Sequence, residues 1–493
     1  MLGKQPPTQF GFDNLPPHPP PTRWSELLQS ISQLLDFEPI RDSAGPYFAE
    51  CGRPSLDPIL MFKMMLVGYL LDIASDRRLV EECADRASVR EFLGLGWSDP
   101  LPVHASFTHW RQRLGADFFR EALHEVVRQC AAHGMVLSAA RTVDATTVKA
   151  QASKRGPTVA VPQDAAVDEF VHTCFEQDRE HGPYARSDHG EVIGQLPPTD
   201  AEDDAGAGHA AGEARSGSGE DRTILINTHD PEARLQRKSR EIAQFRYNVS
   251  FCTDVATGLI TDATATGFER AETAVDHLWH DPGQVRELAA DRLYDAGQVL
   301  QALQQRGVSC YVPAPRSSSG GRIDKSQFSY LEMLDRYICP RGAELKLSRD
   351  DARRGQRHYT ALVSDCKGCP DKRRCTPAAR RSLSRQYAQG ARDRAVRSGH
   401  RYWLLQRQRR INEYLHMVGK RDHGLSRARG LGLEAMRIQA AMTAVAIDLK
   451  RLVGFGGRVV WPAAAERARL CALLALWGML IARSRPQRHR GGH

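Results

Sequence analysis

The sequence predicts an α/β core that follows an all-α domain and carries a small cysteine-rich insert. Three observations lead there. Residues 54–95 place apolar side chains at helical spacing, through Ile59, Leu60, Met64, Met65, Val67, Leu70 and Leu71. Residues 141–150 read as a strand, because Thr142, Val143, Thr146, Thr147 and Val148 are β-branched and suit a pleated, half-buried surface. Beyond residue 245, strand and helix signals alternate in the order of an α/β protein.

The helical part begins after residues 1–22, whose Pro16-Pro17-His18-Pro19-Pro20-Pro21 is a stiff stretch with no core-forming pattern. Residues 24–35 are helical. Ser55-Leu56-Asp57-Pro58 is a helix start, and helices over 76–83 and 88–93 follow the first block. The Met-rich face reads as core, since methionine fills irregular apolar gaps. Residues 104–115 form a short helix that Ser106 could cap, with Arg111 and Arg113 on its outer face. Short helices ending in an arginine-bearing one suit a helix-turn-helix reader of DNA; a plain helical bundle fits the same segment equally well. Residues 118–133 are another amphipathic helix.

The strand at 141–150 carries one carboxylate, Asp144, in its middle; a lone strand Asp is ordinarily just solvated. Residues 155–235 are dominated by Asp, Glu, Gly, Ala and Pro and read as an inserted, largely disordered or loosely helical segment without a catalytic part. Strand signals resume at 245–252, pass a turn at Thr257-Gly258 and continue over 259–266, which makes a hairpin. A helix over 269–280, a short strand over 285–290 ending at Asp291, a helix over 296–306 closed by Gly307 and a strand over 308–312 complete a hairpin-then-crossover order.

Composition narrows the partners. A chain of 493 residues has room for about two or three domains. Its net charge of +9 favours a polyanion, and the distribution is sharper: residues 316–430 hold 28 Lys and Arg against 11 Asp and Glu, whereas residues 156–222 hold 4 against 15. The late segment therefore has the footprint of a phosphate-backbone binder, although a solvated basic face has the same composition. Eleven scattered cysteines and no secretory leader point to reduced thiols in the cytosol. The apolar run near 470–482 is broken by Gly478 and too short to cross a bilayer. A cytoplasmic, nucleoid-associated protein without membrane contact is expected.

Two late features carry chemistry. Cys339, Cys366, Cys369 and Cys375 fall within 37 residues and can supply four thiolates to a tetrahedral structural Zn²⁺, with free thiols as the alternative. Arg373, Arg374, Arg380, Arg381 and Arg385 beside them would make that knuckle a clamp on phosphates. Residues 400–419 are helical and basic; Arg409 and Glu413, four apart, share a face, as do Glu413 and Lys420 at seven. A surface ion pair accounts for the first spacing as well as a site does. A long apolar helix over 436–452 reads as core.

Together these pieces resemble the DDE transposases of bacterial insertion sequences over roughly residues 50–453. The resemblance rests on Arg53-Pro54-Ser55-Leu56-Asp57-Pro58, residues 104–115 and 143–150, Tyr247-Asn248-Val249, Gly258-Leu259-Ile260, Ala290-Asp291-Arg292-Leu293-Tyr294-Asp295, the cysteine insert, and Arg409, Glu413 and Lys420 in their order. It implies a ribonuclease-H-like mixed-sheet catalytic core in which Asp144, Asp291 and Glu413 converge, an N-terminal all-α DNA-binding domain, and Arg409 and Lys420 gripping the phosphates of the element's end. Cleavage and joining of phosphodiesters are in-line displacements that two Mg²⁺ or Mn²⁺ ions held by carboxylates can promote without a protein nucleophile. The implied partners are double-stranded DNA, as terminal inverted repeats and target, and a second copy of the chain on paired ends.

The implied division is 1–22 tail, 23–135 helical DNA-binding domain, 136–154 with 240–315 and 400–455 as catalytic core, 155–239 acidic insert, 316–399 basic cysteine-rich insert, and 456–493 C-terminal helix and tail. Five positions depart from the family's usual pattern: Gln406 stands where Tyr is usual, Asn412 where an apolar residue precedes the Glu, His416-Met417 where an aromatic and then a small residue follow it, and Asp448 where Asn is frequent. The leading function is a Mg²⁺-dependent transposase. The alternatives are a catalytically decayed transposase that represses by binding DNA, and a structure-specific nuclease. No GxxxxGK(S/T) loop and no HExxH motif occurs, so neither an ATP-driven step nor a zinc protease is indicated.

Overall fold

The computed structural model describes residues 22–48, 55–152, 158–162, 223–237, 242–267, 285–313, 322–352 and 355–455. The polyproline stretch, most of the acidic insert, the helix expected over 269–280 and the C-terminal apolar run lie outside the described residues. The chain divides into two units, residues 1–137 with 444–493, and residues 138–443.

In the first unit, α1 (Arg23–Leu34) starts on a capping box in which Thr22 and Ser25 satisfy each other's backbone N–H groups. After α2 (Glu38–Ala44), α3 (Pro58–Leu70) has Pro58 at its first position and the Asp57 carboxylate accepting from the Ile59 N–H, as its sequence anticipates. Met61, Phe62, Met64, Met65, Leu66 and Val67 are all buried, so this helix is packed on most sides. α4 (Asp76–Asp85) and α5 (Ala87–Leu93) follow. α6 (Ala105–Ala132) joins the two helices expected on either side of residue 115; the backbone breaks at Gly115, whose φ of 69° favours glycine.

Two expectations are corrected here. Ser106 lies inside the first turn of α6, and His104 precedes the helix without a side-chain cap. Arg111 does not face outward: its guanidinium donates to both oxygens of Asp76 at 2.8 and 2.7 Å and is half-buried. Salt-bridge geometry won over helical outer-face spacing because the Asp76 carboxylate at the start of α4 matches the planar fork of an arginine. Arg113 is exposed, above the Phe48 ring.

The second unit is built on β1 (Ala140–Lys149). Beyond the short pair β2 (Thr158–Pro162) and β3 (Thr223–Asn227) come β4 (Arg234–Gln236), β5 (Gln244–Asp254) and β6 (Ile260–Thr266). β5 runs antiparallel along the whole of β1, from Arg141↔Asp254 to Lys149↔Arg246, and β6 pairs antiparallel with β5 around a turn at Gly258. On the other edge β7 (Glu287–Ala289) is parallel to β1, and β8 (Ser309–Tyr311) is parallel to β7. The crossover between them is α7 (Gly297–Gln305), which buries Val299, Leu300 and Leu303.

The cysteine-rich stretch holds more than a knuckle. β9 (Ser329–Leu331), β10 (Arg336–Ile338), β11 (Glu344–Asp351), β12 (Gln356–Ala361) and β13 (Ser382–Gln386) form a second, antiparallel sheet. Its core is Phe328, Tyr337, Leu345, Tyr359 and Leu383. Two short helices, α8 (Val363–Lys367) and α9 (Lys372–Cys375), carry three of the four cysteines or flank them. After α10 (Gln389–Arg394), the Asp295 carboxylate accepts from Arg392 and Arg397 at 2.8 Å each, which ties the chain leaving this sheet to the turn after Asp291. The single helix expected over 400–419 is two, α11 (His400–Gln408) and α12 (Arg410–Asp422), meeting at Arg409; α13 (Gly432–Phe455) follows.

Arg141 and Asp254 make a fully buried ion pair at 2.5 Å between β1 and β5. Asp254 also accepts from the Ser138 and Thr257 N–H and hydroxyl groups and from the Ala256 N–H, so every lone pair is used at the hairpin turn. Removing one partner leaves an uncompensated buried charge, and Asp254→Ala is expected to lower unfolding free energy by about 3–5 kcal/mol in denaturant titrations. A loss under about 1 kcal/mol would show that water reaches Arg141.

Candidate active site

Asp144 lies in the middle of the central strand with a side chain 15% exposed. Its Oδ1 accepts the Ala145 N–H at 3.0 Å and its Oδ2 accepts from Arg409 NH1 at 3.2 Å. Parallel pairing sets Thr142 level with Ala289, so Asp144 and Asp291, each two residues further on, emerge at the same end of adjacent strands. Asp291 is half-buried, and its Oδ1 accepts the Leu293 N–H at 2.8 Å, which starts a tight turn and holds the carboxylate in place. Glu413, on α12, is largely exposed, with Arg409 NH2 3.9 Å away.

Burial raises the Asp144 carboxyl to about 6; Arg409 and the Ala145 N–H oppose the rise, and the negative charges of Asp291 and Glu413 add to it. Asp144 therefore feels the charge of both other acids. A cavity of about 640 Å³ opens between β1 and α12, with Asp144, Thr146, Glu413, His416 and Lys420 in its lining. A cavity of about 720 Å³ lies at the opposite ends of β7 and β8, but its acid, Glu287, is already bonded to Arg401 and Tyr311.

The two cations expected to grip phosphates are engaged within the protein. Arg409 bridges Asp144 and Glu413; Lys420 donates to Thr146 Oγ1 at 2.6 Å and to the Thr147 carbonyl at 2.9 Å. Three residues of these helices that were noted only as departures also reach the sheet. Gln406 Nε2 donates to the carbonyls of Ala290 and Tyr311 at 3.1 and 2.8 Å. Asn412 donates to Thr142 Oγ1 at 3.0 Å and accepts from Thr253 Oγ1 at 2.5 Å. His416 stacks on Phe251 with centroids 4.6 Å apart, and its Nε2 lies 3.2 Å from the Asp144 carbonyl. A carbonyl only accepts, so Nε2 carries the proton; burial holds the ring down at about 4, hence neutral. Spacing of 409, 412, 413, 416 and 420 on one helical face was the signal in the sequence that could have grouped them.

As donors, the three acids offer only oxygen, which suits a hard divalent ion. Among the described residues, no group of three or more His, Cys, Asp or Glu is gathered closely enough to hold a metal ion. Arg409 provides the positive charge between Asp144 and Glu413. In the second sheet, Cys339 Sγ accepts from the N–H groups of Arg341 and Ala343 at 3.4 and 3.3 Å. Cys339, Cys366 and Cys369 are within electrostatic range of Cys375. Of the five arginines nearby, Arg381 donates to the Cys375 carbonyl and Arg385 stacks on Tyr330 and pairs with Asp393, whereas Arg373, Arg374 and Arg380 are exposed.

The family described as "Transposase domain (DUF772)" matches residues 19–113, and that described as "Transposase DDE domain" matches residues 338–453. The two matches together support a DDE transposase. The second match takes in Arg409, Glu413, Lys420 and the four cysteines of this transposase; Asp144 and Asp291 lie outside both matches. Among solved structures, the transposase is similar to one titled "Cryo-EM structure of piggyBac transposase synaptic complex with hairpin DNA (SNHP)", at a TM-score of 0.31 and 10% identity over 88% of this chain and 73% of that one. No curated protein matches the chain. Among the described residues, no helix is long and apolar enough to cross a membrane.

The raised Asp144 carboxyl has a consequence for stability. Its favourable contribution is complete below the ordinary value of 3.8 and is lost as pH rises through about 6. In EDTA at about pH 7.5, Asp144→Asn should therefore unfold later than wild type, by about 1–3 kcal/mol, the difference closing near pH 4. Thermal unfolding across that range checks it; a variant less stable than wild type at the higher pH would mean that the Arg409 pair outweighs burial.

Proposed function

We propose that the transposase binds the terminal inverted repeats of a bacterial insertion sequence and catalyses DNA strand cleavage and strand transfer, with Asp144, Asp291 and Glu413 as its catalytic carboxylates. The observation that carries this reading is that Asp144 and Asp291 stand at the same end of adjacent parallel strands, with Arg409 reaching both Asp144 and Glu413. The strand order β6-β5-β1-β7-β8, antiparallel on one side of β1 and parallel on the other, supports reading the sheet as a ribonuclease-H-like core.

Asp144, Asp291 and Glu413 would hold two Mg²⁺ or Mn²⁺ ions, which when bound activate the attacking oxygen and stabilise the leaving one in an in-line displacement at phosphorus. Asp144 is anionic above about pH 6 and so available as a ligand at neutral pH. Arg409, beside Asp144 and Glu413, would offer its planar fork to a DNA phosphate. Lys420 keeps the end of β1 in place and adds a second positive charge to the same cavity. In the helical unit, Arg113 is better placed than the ion-paired Arg111 to meet a phosphate, and Arg111 would reach DNA only by leaving Asp76.

Cys339, Cys366, Cys369 and Cys375 would hold a structural Zn²⁺, and the exposed Arg373, Arg374 and Arg380 beside them would lie along the backbone of the same DNA. Two copies of the chain on paired ends, acting at the nucleoid in the cytoplasm, complete the proposal.

The test is cleavage of a labelled duplex carrying the element's own terminal repeat, with Mg²⁺ or Mn²⁺. Wild type should nick at the repeat boundary, and Asp144→Ala, Asp291→Ala and Glu413→Ala should each lose at least about 10³-fold in rate. Normal cutting by Glu413→Ala would assign the third position to another acid. A folded wild type that binds the repeat and never cuts would instead be a repressor. Purified protein should carry about one zinc per chain, and Cys366→Ser/Cys369→Ser should release it. Wild type with no zinc by elemental analysis would leave free thiols.

A further inference from the structure

The helices carrying Arg409 and Glu413 are fastened to the sheet by polar bonds in strict register. Asn412 reaches Thr142 and Thr253, which face each other across β1 and β5. Four residues on, His416 reaches the carbonyl of Asp144 and lies on Phe251, the partner of Asp144 across the same strands. Four further on, Lys420 reaches Thr146. Four helical residues rise about 6 Å and two strand residues span about 6.6 Å, so helix and strand stay in step over this distance. At the other end Gln406 spans the carbonyls of Ala290 and Tyr311, the first of which immediately precedes Asp291.

Asn412 and the two threonines are fully buried, and their groups satisfy one another. Hydrogen bonds are directional, whereas apolar contact tolerates sliding and rotation. A slip of one residue along the helix would break the His416 bond to the Asp144 carbonyl and leave the Asn412 amide and both hydroxyls without partners, at about 1–3 kcal/mol for each buried group left unpaired. The seam therefore fixes Glu413 relative to Asp144, and Gln406 fixes both relative to Asp291.

We propose that Gln406, Asn412 and His416 are positioning residues that set the separation of Asp144, Asp291 and Glu413, and hence the affinity of those acids for a divalent ion. The proposal rests on the three-carboxylate reading above. None of the three need touch DNA or the reacting phosphate; each acts through the backbone or hydroxyl group it holds.

The experiment measures Mn²⁺ affinity by electron paramagnetic resonance of the full chain bound to its terminal-repeat duplex, with duplex binding and unfolding followed in parallel. Asn412→Leu should weaken Mn²⁺ binding by about 10–100-fold while duplex affinity holds. Asn412→Leu/Thr142→Val/Thr253→Val removes every polar atom of the buried set together and should return Mn²⁺ affinity to within about threefold of wild type. His416→Gln keeps a donor for the Asp144 carbonyl and should stay near wild type, whereas His416→Ala should weaken Mn²⁺ binding like Asn412→Leu. If Asn412→Leu does not fold, the triple variant and the two His416 variants decide. A triple variant no better than Asn412→Leu, or His416→Ala with unchanged affinity, overturns the proposal. Asp144→Asn is the separate control: Mn²⁺ binding as tight as in wild type would remove the three-carboxylate reading itself.

Discussion

The placement of one carboxylate in the middle of a bonded strand constrains everything around it. Asp144 cannot move to meet its partners, because β1 is paired with β5 along its length and with β7 up to Thr142. Asp291 and Glu413 must be brought to it. The parallel register of β7 does this for Asp291, and the polar seam along α12 does it for Glu413. Burying polar groups is costly unless each finds a partner, so a seam of this kind is specified all together or not at all.

The same strand poses an electrostatic problem. A half-buried carboxylate beside two others is pushed toward its neutral form, and a single guanidinium limits that rise. Arg409 thus supplies positive charge to both Asp144 and Glu413. Electrostatic repulsion among the acids and their attraction to a cation are one property seen from two sides. The buried Arg141–Asp254 pair plays a different part: with all its oxygens used, it closes the hairpin and takes no share in the cavity.

The second sheet shows how an insertion is accommodated without disturbing the acids. Its core of tyrosines, Phe328 and leucines is its own. The chain that leaves it is pinned by Arg392 and Arg397 to Asp295, four residues after Asp291, so the insert returns to the site at a fixed point. Arg381 and Arg385, which look in sequence like part of a uniform basic surface, are spent on the Cys375 carbonyl and on Tyr330 and Asp393. Arg373, Arg374 and Arg380 remain at the surface.

What the sequence determined by itself is what local chemistry controls. The Asp57-Pro58 helix start, the β-branched run around Asp144, the turn at Gly258 and the strand, helix and strand of β7, α7 and β8 were all legible, because capping, steric preference and hydrophobic period act over a few residues. Glu413 and Arg409 were legible as a helical pair. The tertiary structure alone decided which polar groups meet. Arg111 looked outward until Asp76 was found beside it; Gln406, Asn412 and His416 looked like blemishes until Ala290, Thr142, Thr253 and Asp144 were placed opposite them. Their partners lie between 35 and 272 residues away in the chain, and a hydrogen bond depends on distances and angles that no local pattern carries.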